Sequence, residues 1–166
     1  MTGSITVAAH AKANLFLRVL SRDTGGFHGI ETLFCRLDLA DTLVAERVPG
    51  REVSIEVQGD DTGPAEQNLA VRAARAAQGA IEGGIGVHLT LTKKIPIGAG
   101  LGGGSADAAA ALHAVNALAG NPIPRAELFH LAARLGADVA FCATGASLAL
   151  AWGHGERMMT LPGLPA

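Results

Sequence analysis

The sequence predicts a single domain of the α+β class, in which most strands precede the helices. The chain has 166 residues, the size of one domain. Hydrophobic residues make up 49% and aromatic residues only 4%, so we expect a core built from alanine, valine, leucine and isoleucine. Strand-like alternation dominates the early chain and helix-like spacing the later chain. This order favours α+β over a parallel, doubly wound sheet.

Short apolar or alternating segments in the first 60 residues predict strands. These strands are expected over residues 5–9, 13–20, 31–36, 42–47 and 52–57. Gly25 and Gly26 mark a turn between the second and the third of them. The first third of the chain is therefore expected to be mostly β-structure.

Helical spacing appears in three later segments. The helices are expected over residues 67–81, 105–119 and 124–135, and further strands over residues 86–95, 147–152 and 157–161. Asn68 is placed to cap the first helix, and Gly83 and Gly84 follow its end. Gly136 is placed to end the third helix in the way that glycine commonly does.

The strongest functional signal is the segment GAGLGGG at residues 98–104, which we call the glycine loop. Five of these seven residues are glycine, and the loop joins a predicted strand to a predicted helix. Glycine lets successive N–H groups turn inward without a Cβ clash, and the helix that follows adds free N–H groups and the positive end of its dipole. The pattern predicts a backbone cradle for a polyphosphate.

Two common phosphate loops do not fit this segment. A Walker A loop needs a lysine after its last glycine, whereas Ser105 follows Gly104 directly. The spacing of Gly98, Gly100 and Gly103 matches the Rossmann fingerprint, but the strand before it alternates as if one face were solvated. Rossmann strands are instead buried on both faces.

Composition and charge exclude several classes of partner. The net charge of −2 provides no basic field, so we expect no nucleic acid partner. No apolar run is long enough to span a membrane, and the N-terminus lacks the basic start of a signal peptide, so we expect a cytoplasmic protein without a membrane partner. Cys35 and Cys142 are expected to be buried, reduced thiols, and no metal-binding set of side chains is expected.

The glycine loop and its flanks resemble the phosphate-binding motif of the GHMP kinases, the family of galactokinase, homoserine kinase, mevalonate kinase and phosphomevalonate kinase. The Gly-Gly-Gly-Ser form, with Asp-Ala-Ala-Ala shortly after it, is similar to the diphosphocytidyl-methylerythritol kinases of that family. The resemblance implies ATP and Mg²⁺, with Ser105 as the hydroxyl nearest to the metal. It implies ATP contacts from Pro96, Gly98, Ala99, Gly100, Leu101, Gly102, Gly103, Gly104 and Ser105.

Two further segments match the same kinases and carry the implied catalytic residues. In AHAKANLFL, residues 9–17, a lone lysine is usually an edge charge, but the resemblance implies that Lys12 is catalytic and that Asn14 contacts substrate. In LGADV, residues 135–139, Asp138 would by itself be a turn or capping residue, but the resemblance implies a catalytic acid/base. We therefore expect Lys12 and Asp138 to meet beside the glycine loop.

The remaining matches concern base recognition. Phe27 and His28 could be a hairpin aromatic and a surface histidine, but the resemblance implies that they stack on and hydrogen-bond to a cytosine ring. The related kinases usually carry tyrosine where Phe27 stands, so stacking is kept and a hydroxyl hydrogen bond is lost. Asn68 is explained equally well as an N-cap and as a residue near the adenine pocket.

Taken over residues 1–166, the resemblance implies a GHMP kinase N-terminal domain, similar in fold to the second domain of ribosomal protein S5. The implied reaction is phosphorylation by ATP of the 2-hydroxyl of 4-diphosphocytidyl-2-C-methyl-D-erythritol, a cytidine diphosphate compound, in non-mevalonate isoprenoid synthesis. Members usually continue into a C-terminal domain that is absent from this chain, so we expect the chain alone to be nearly inactive. Another small-molecule GHMP kinase, or a non-catalytic nucleotide-binding module, remains as an alternative.

Overall fold

Within the described part of the chain, six strands form one mixed sheet, and four helices pack against this sheet or against one another. The computed structural model describes residues 3–22, 28–153, 155 and 157–163. The strands are β1 (Ser4–Arg22), β2 (His28–Val48), β3 (Val53–Gln58), β4 (Gly86–Thr92), β5 (Leu148–Gly153) and β6 (Arg157–Leu161). The helices are α1 (Leu69–Gly79), α2 (Gly103–Leu118), α3 (Arg125–Leu135) and α4 (Ala137–Thr144), with a 3₁₀ turn at Ala65–Gln67. The α+β prediction is confirmed.

Strand β2 organises the sheet. Along one edge it pairs with β1, and along the other it pairs with β5 through residues 30–35 and with β4 through residues 42–48. The strand order is β3-β4-β2-β5-β6, with β1 paired to β2 outside this path. Only the β3–β4 pair is parallel among the strand pairs of the described residues. Strand β2 therefore lies between β4 and β5 in the sheet and joins its two halves.

The prediction of separate short strands at the start of the chain was wrong in one respect. Residues 5–9 and 13–20 belong to the single strand β1, and residues 31–36 and 42–47 to the single strand β2. Strand β1 stays continuous because irregularities, one between His10 and Lys12 and one between Asn14 and Phe16, absorb the shifts in register. Such bulges redirect side chains.

The helices largely follow the prediction. Asn68 caps α1 as expected, since its Oδ1 accepts from the N–H of Ala70 at 2.9 Å. Helix α1 ends at Gly79, before the predicted end at Ile81. Strand β4 ends at Thr92 rather than at residue 95. Helix α4 was not predicted, because it begins directly after the glycine that ends α3.

The core lies between the sheet and helices α1 and α2. It is built on small side chains, and α2 alone buries six alanines: Ala106, Ala108, Ala109, Ala110, Ala111 and Ala114. Small side chains let the α2 backbone approach its neighbours closely. The two cysteines are unpaired, as expected, but each is only partly buried, contrary to the prediction. No helix of the described segments is long and apolar enough to cross a membrane.

Candidate active site

The glycine loop connects β4 to α2 through three residues in the left-handed region. Gly98, Gly100 and Gly102 have φ values of 76°, 75° and 69°. Residues with a Cβ rarely adopt this conformation, so glycine is required for the path of the chain. The first α2 hydrogen bond runs from Ala106 N to Gly102 O, which leaves the preceding N–H groups without partners inside the helix. Those N–H groups are the donors that an anion could use.

A cavity of about 260 Å³ lies against the glycine loop and the start of α1, and we call it the loop cavity. Every residue predicted to bind ATP lines it except Ser105. Seven further residues line it that the sequence analysis did not predict: Thr62, Gln67, Leu69, Lys93, Ile95, Ile97 and Asp107. No sequence motif connects these residues to the glycine loop. Thr62, Gln67 and Leu69, for example, precede β4 by about twenty residues and come close to the loop only in the folded chain.

Lys12 and Asp138, separated by most of the chain, form an ion pair. Lys12 Nζ lies 3.1 Å from Asp138 Oδ2. The lysine side chain is 7% exposed, whereas the aspartate side chain is 37% exposed. The ammonium also lies 5.7 Å from the centroid of the Phe34 ring, on β2. The pair thus has a buried cation and a carboxylate that a ligand can reach.

The backbone of Lys12 is tied directly to the glycine loop. Its N–H donates to the carbonyl of Leu101 at 2.9 Å, so β1 and the loop are joined at this residue. A Cβ placed on Gly102 would lie 2.9 Å from both Cγ and Cε of Lys12, which is closer than Cβ atoms approach other carbons. The aliphatic part of Lys12 therefore packs on the glycine loop, and its ammonium emerges beside it.

Helix α4 places Asp138 in its first turn, where the helix dipole favours a carboxylate. Phe141, on the same helix, stacks on Phe34 with ring centroids 4.8 Å apart and an interplanar angle of 18°. Because Phe34 also underlies the Lys12 ammonium, one aromatic pair supports both partners of the ion pair. Asp138 is thus an ion-paired residue, and the N-cap of α4 is Gly136.

Asn14 lies next to this pair and uses both ends of its amide. Its Oδ1 accepts from Lys12 Nζ at 2.8 Å, and its Nδ2 donates to Thr32 Oγ1 at 2.7 Å. The Lys12 ammonium has three N–H groups, of which Asn14 and Asp138 take two. Among the described residues no acceptor takes the third, so it can donate to an oxygen of a ligand.

A buried charge cluster lies beneath the glycine loop. Lys93 Nζ donates to Asp107 Oδ2 at 2.7 Å and also to Asp41, whose other oxygen accepts from the N–H groups of Lys94 and Ile95. All three charged side chains are at most 5% exposed. The cluster joins β2, the segment entering the glycine loop and the second turn of α2, so it holds both ends of the loop.

Two carboxylates share one ammonium in this cluster, and the pKa values reflect it. Burial raises the pKa of Asp107 to about 7, against the opposing effect of Lys93. Burial acts in the same direction on Asp41, but its hydrogen bonds from Lys93, Lys94 and Ile95 lower the pKa of that carboxyl overall. Asp107 Oδ1 is buried and has no hydrogen-bond partner among the described residues. Asp107 therefore holds a proton more readily than Asp41.

Three predicted site residues remain: Asn68, which the structure describes, and Phe27 and His28, which it describes in part or not at all. Asn68 lines the loop cavity while its Nδ2 donates to Thr62 at 3.0 Å, so its capping and cavity positions coexist. Phe27 lies outside the described residues, and only the backbone of His28, at the start of β2, is described. Within the described chain, no group of three or more His, Cys, Asp or Glu side chains is arranged to hold a metal ion.

Comparison with known proteins found both a family model and curated relatives that match this chain. The family model for the GHMP kinases N terminal domain matches residues 68–146, which include the glycine loop and Asp138. The chain is 44% identical over 158 residues to a 4-diphosphocytidyl-2-C-methyl-D-erythritol kinase of Solibacter usitatus, covering 95% of this chain and 49% of the relative. It is also 44% identical over 162 residues to the kinase of that name from Moorella thermoacetica, covering 97% and 55%. The chain spans about half the length of these relatives.

Solved structures agree with the sequence comparison. A crystal structure of 4-(cytidine 5'-diphospho)-2C-methyl-D-erythritol kinase matches with a TM-score of 0.78 at 44% identity, covering 95% of this chain and 55% of that one. The mevalonate kinase of Methanococcus jannaschii matches with a TM-score of 0.67 at 14% identity, which shows a shared fold alone. Residues 68–146 therefore belong to the GHMP kinases N terminal domain family, and the chain as a whole is similar to the 4-diphosphocytidyl-2-C-methyl-D-erythritol kinases.

Proposed function

We propose that this chain binds ATP at the glycine loop and supplies Lys12 and Asp138 for transfer of the γ-phosphoryl group to an alcohol. The proposed acceptor is the 2-hydroxyl of 4-diphosphocytidyl-2-C-methyl-D-erythritol, because relatives at 44% identity carry the name of that kinase. The proposed setting is non-mevalonate isoprenoid synthesis in the cytoplasm. The observation that carries the proposal is the 3.1 Å pair of Lys12 and Asp138, whose lysine packs directly on the glycine loop.

The loop cavity supports the ATP part of the proposal. All residues of the glycine loop line it, and this loop offers backbone N–H groups and no anionic side chain to repel phosphate. Asp107 lines the cavity, but it hydrogen-bonds to Lys93 and its raised pKa weakens its charge near neutral pH. We propose that the triphosphate lies along the glycine loop and that the adenosine occupies the end near Asn68.

The Lys12–Asp138 pair supports the chemical part. As the acceptor oxygen forms its bond to the γ-phosphorus, the Asp138 carboxylate takes the hydroxyl proton, and the bond from phosphorus to the bridging oxygen of ADP breaks. The Lys12 ammonium faces this carboxylate and has one N–H free to donate to a phosphoryl oxygen. In this mechanism Asp138 is the base and Lys12 stabilises charge on the transferring group.

Mg²⁺ is part of the proposal through its binding to the phosphates, whose charge it neutralises. Mg²⁺ usually keeps several waters and takes one or two protein oxygens with substrate phosphates, so it does not need a complete protein cage. Ser105 lies in the first turn of α2, directly after the glycine loop, and carries an oxygen of a suitable type. We propose the Ser105 hydroxyl as the protein ligand.

The cytosine part of the proposal rests on Phe27 and His28, whose roles come from the resemblance of the sequence. Stacking of a base on an aromatic ring contributes roughly 1–3 kcal/mol. Phe27→Ala should therefore weaken binding of the cytidine substrate by that amount and leave ATP binding unchanged. Competition by CMP and AMP with equal strength at the acceptor site would contradict this assignment.

The deciding experiment is a phosphoryl-transfer assay of the complete natural protein, called here the full-length protein, followed by ³¹P NMR. Acceptors would be 4-diphosphocytidyl-2-C-methyl-D-erythritol, mevalonate and homoserine, each with ATP and Mg²⁺. We expect phosphorylation of the first compound alone. Preference for mevalonate or homoserine would show that the proposed acceptor is wrong and that the protein is another small-molecule GHMP kinase. ATP binding measured by calorimetry without turnover of any acceptor would indicate a non-catalytic nucleotide-binding module.

A further inference from the structure

Thr32, near the start of β2, is a fully buried hydroxyl next to the proposed catalytic pair. It lies opposite Leu17 of β1 and Ala151 of β5 in the sheet. Burying a hydroxyl is unfavourable unless it is hydrogen-bonded. Thr32 satisfies this requirement with two short hydrogen bonds, to Asn14 and to the carbonyl of Phe16, each 2.7 Å long.

The direction of these hydrogen bonds is determined by the single proton of the hydroxyl. A carbonyl can only accept, so Thr32 must donate its proton to Phe16 O. Thr32 Oγ1 must then accept from Asn14, which requires the amide nitrogen of Asn14 to face it. The amide oxygen consequently faces Lys12 and accepts from its ammonium at 2.8 Å. A flipped amide would set its NH₂ group against the Lys12 ammonium and its oxygen against the Thr32 oxygen, whose only proton is already donated to Phe16 O.

The local shape of β1 is consistent with this arrangement. A register shift lies between Asn14 and Phe16, so the two residues that Thr32 joins flank a bulge. Bulges occur where a strand redirects a side chain. Here the Thr32 hydroxyl bonds to the residues on both sides of the irregularity.

We propose that Thr32 is a positioning residue for the phosphoryl transfer, acting through Asn14 to hold the Lys12 ammonium beside Asp138. The inference rests on the proposed function and adds two roles to it. Asn14 orients Lys12 with its amide oxygen, and only the second N–H of its amide remains for substrate. Thr32 touches no ligand and acts through the chain Thr32–Asn14–Lys12. Correct placement matters because a displacement of about 1 Å can cost on the order of 100-fold in rate.

Thr32→Val and Thr32→Ser form a matched pair of variants. Valine keeps the shape of threonine and removes the hydroxyl, whereas serine keeps the hydroxyl. In full-length protein we expect Thr32→Val to lower kcat by roughly 10- to 100-fold with little change in the KM for ATP, and Thr32→Ser to retain most of the activity. A structural defect alone would not be rescued by serine, which removes a buried methyl group.

A second measurement does not depend on turnover. The chain has only three lysines, Lys12, Lys93 and Lys94, so ¹⁵N NMR of the lysine ammonium groups is simple. Lys12 is assigned by the signal lost in Lys12→Met. We expect slow proton exchange at its ammonium in the unsubstituted chain and in Thr32→Ser, and faster exchange in Thr32→Val. Asn14→Ala removes the same link at a half-buried position and should have the same effect, even if Thr32→Val fails to fold.

The outcomes separate this inference from the proposed function. Unchanged kcat in Thr32→Val, or unchanged Lys12 exchange in Asn14→Ala, would overturn the role of Thr32. If Lys12 exchange responds as expected but the full-length protein phosphorylates no alcohol, the proposed function fails and Thr32 is left without a reaction to support. Loss of kcat in both Thr32 variants to the same extent would also count against positioning by the hydroxyl.

Discussion

Gly102 is the residue at which the glycine loop and the candidate catalytic lysine meet. Its φ of 69° disfavours any side chain, and a Cβ would collide with Lys12. Gly79, at the end of α1, is the control, because a Cβ there would meet no atom within 4 Å and the residue does not line the loop cavity. We expect Gly102→Ala to weaken ATP binding strongly and Gly79→Ala to leave it nearly unchanged, as measured by calorimetric titration. Equal losses in the two variants would show that loop geometry at Gly102 is not the cause.

Asp138 provides the direct test of the proposed base. Asp138→Asn keeps the size of the side chain and its position in α4, but it removes the proton acceptor. Loss of a general base costs about 10²- to 10⁴-fold, so kcat of the full-length protein should fall by that factor. The dissociation constant for ATP should change little, since Asp138 does not line the loop cavity. A kcat within a factor of two of the unsubstituted protein would exclude Asp138 as the base.

Asp107 gives the protein a distinctive dependence of stability on pH. Its folded pKa of about 7 lies above the ordinary value of 3.8, so between these values the folded state holds a proton that the unfolded state has released. This group therefore contributes stability at low pH that is lost as the pH rises from about 4 to about 7. Asp41 acts oppositely, because its lowered pKa stabilises the fold above pH 3.8 and loses that contribution below it.

Asp107→Asn tests this assignment. Asparagine still offers an oxygen to Lys93 and leaves Asp41 and Lys93 as a balanced pair. We expect the variant to lose the decline in unfolding free energy between pH 4 and pH 7, and to be at least as stable as the unsubstituted chain at pH 8. Urea unfolding at a series of pH values measures both. The same slope in the two proteins would show that Asp107 is ionised throughout this range.

At the scale of elements, helix α4 determines where Asp138 lies. It is held at its middle by the stacking of Phe141 on Phe34 and at its end by three side chains. The last carbonyls of α4 and the residue after it accept from His113, Arg125 and Arg36 at 3.0, 3.3 and 3.1 Å. Cations at the end of a helix also balance its dipole. An eight-residue helix thus has a fixed position.

Phe141→Ala should therefore affect both stability and the site. Removal of a buried phenylalanine costs about 3–5 kcal/mol in unfolding free energy, measured by urea denaturation. Phe129→Ala, in α3, is the comparison, because that side chain is only partly buried and should cost less. We also expect Lys12 ammonium exchange to accelerate in Phe141→Ala alone. A larger loss of stability in Phe129→Ala would contradict the structural role assigned to Phe141.

The elements also show what the sequence could and could not predict. The helices α1, α2 and α3 were predictable because periodicity, caps and glycine stops coincide, as at Asn68 and Gly136. Strands β1 and β2 were each divided in the prediction, because irregularities such as the register shift between His10 and Lys12 interrupt the alternation of apolar residues. Helix α4 gave no separate signal, since eight residues between Gly136 and Gly145 carry too little periodicity.

At the scale of the whole molecule, the site is built from segments that have no relation in sequence spacing. The site forms where β1 meets the glycine loop through the hydrogen bond from Lys12 to Leu101. Helix α4 brings Asp138 to the same place because its Phe141 packs on Phe34 of β2. Periodicity could not predict this convergence, and only the resemblance of three motifs implied it. The cluster of Asp41, Lys93 and Asp107 was not predicted at all, because three common charged residues far apart in sequence form no motif.

The loop cavity lies entirely within the described residues, which leads to a prediction for the 166-residue chain by itself. A ligand that binds only the folded state adds RT ln(1 + [L]/Kd) to stability, about 2.7 kcal/mol at a concentration of 100 Kd. ATP should therefore raise the unfolding temperature of this chain in a concentration-dependent manner, while phosphoryl transfer by the chain alone stays close to background. The shift should disappear in Gly102→Val and persist in Asp138→Asn, because the first alters the phosphate cradle and the second only the proposed base. A thermal shift that survives in Gly102→Val would place the nucleotide elsewhere on the molecule, and robust turnover by the isolated chain would show that these residues position both substrates unaided.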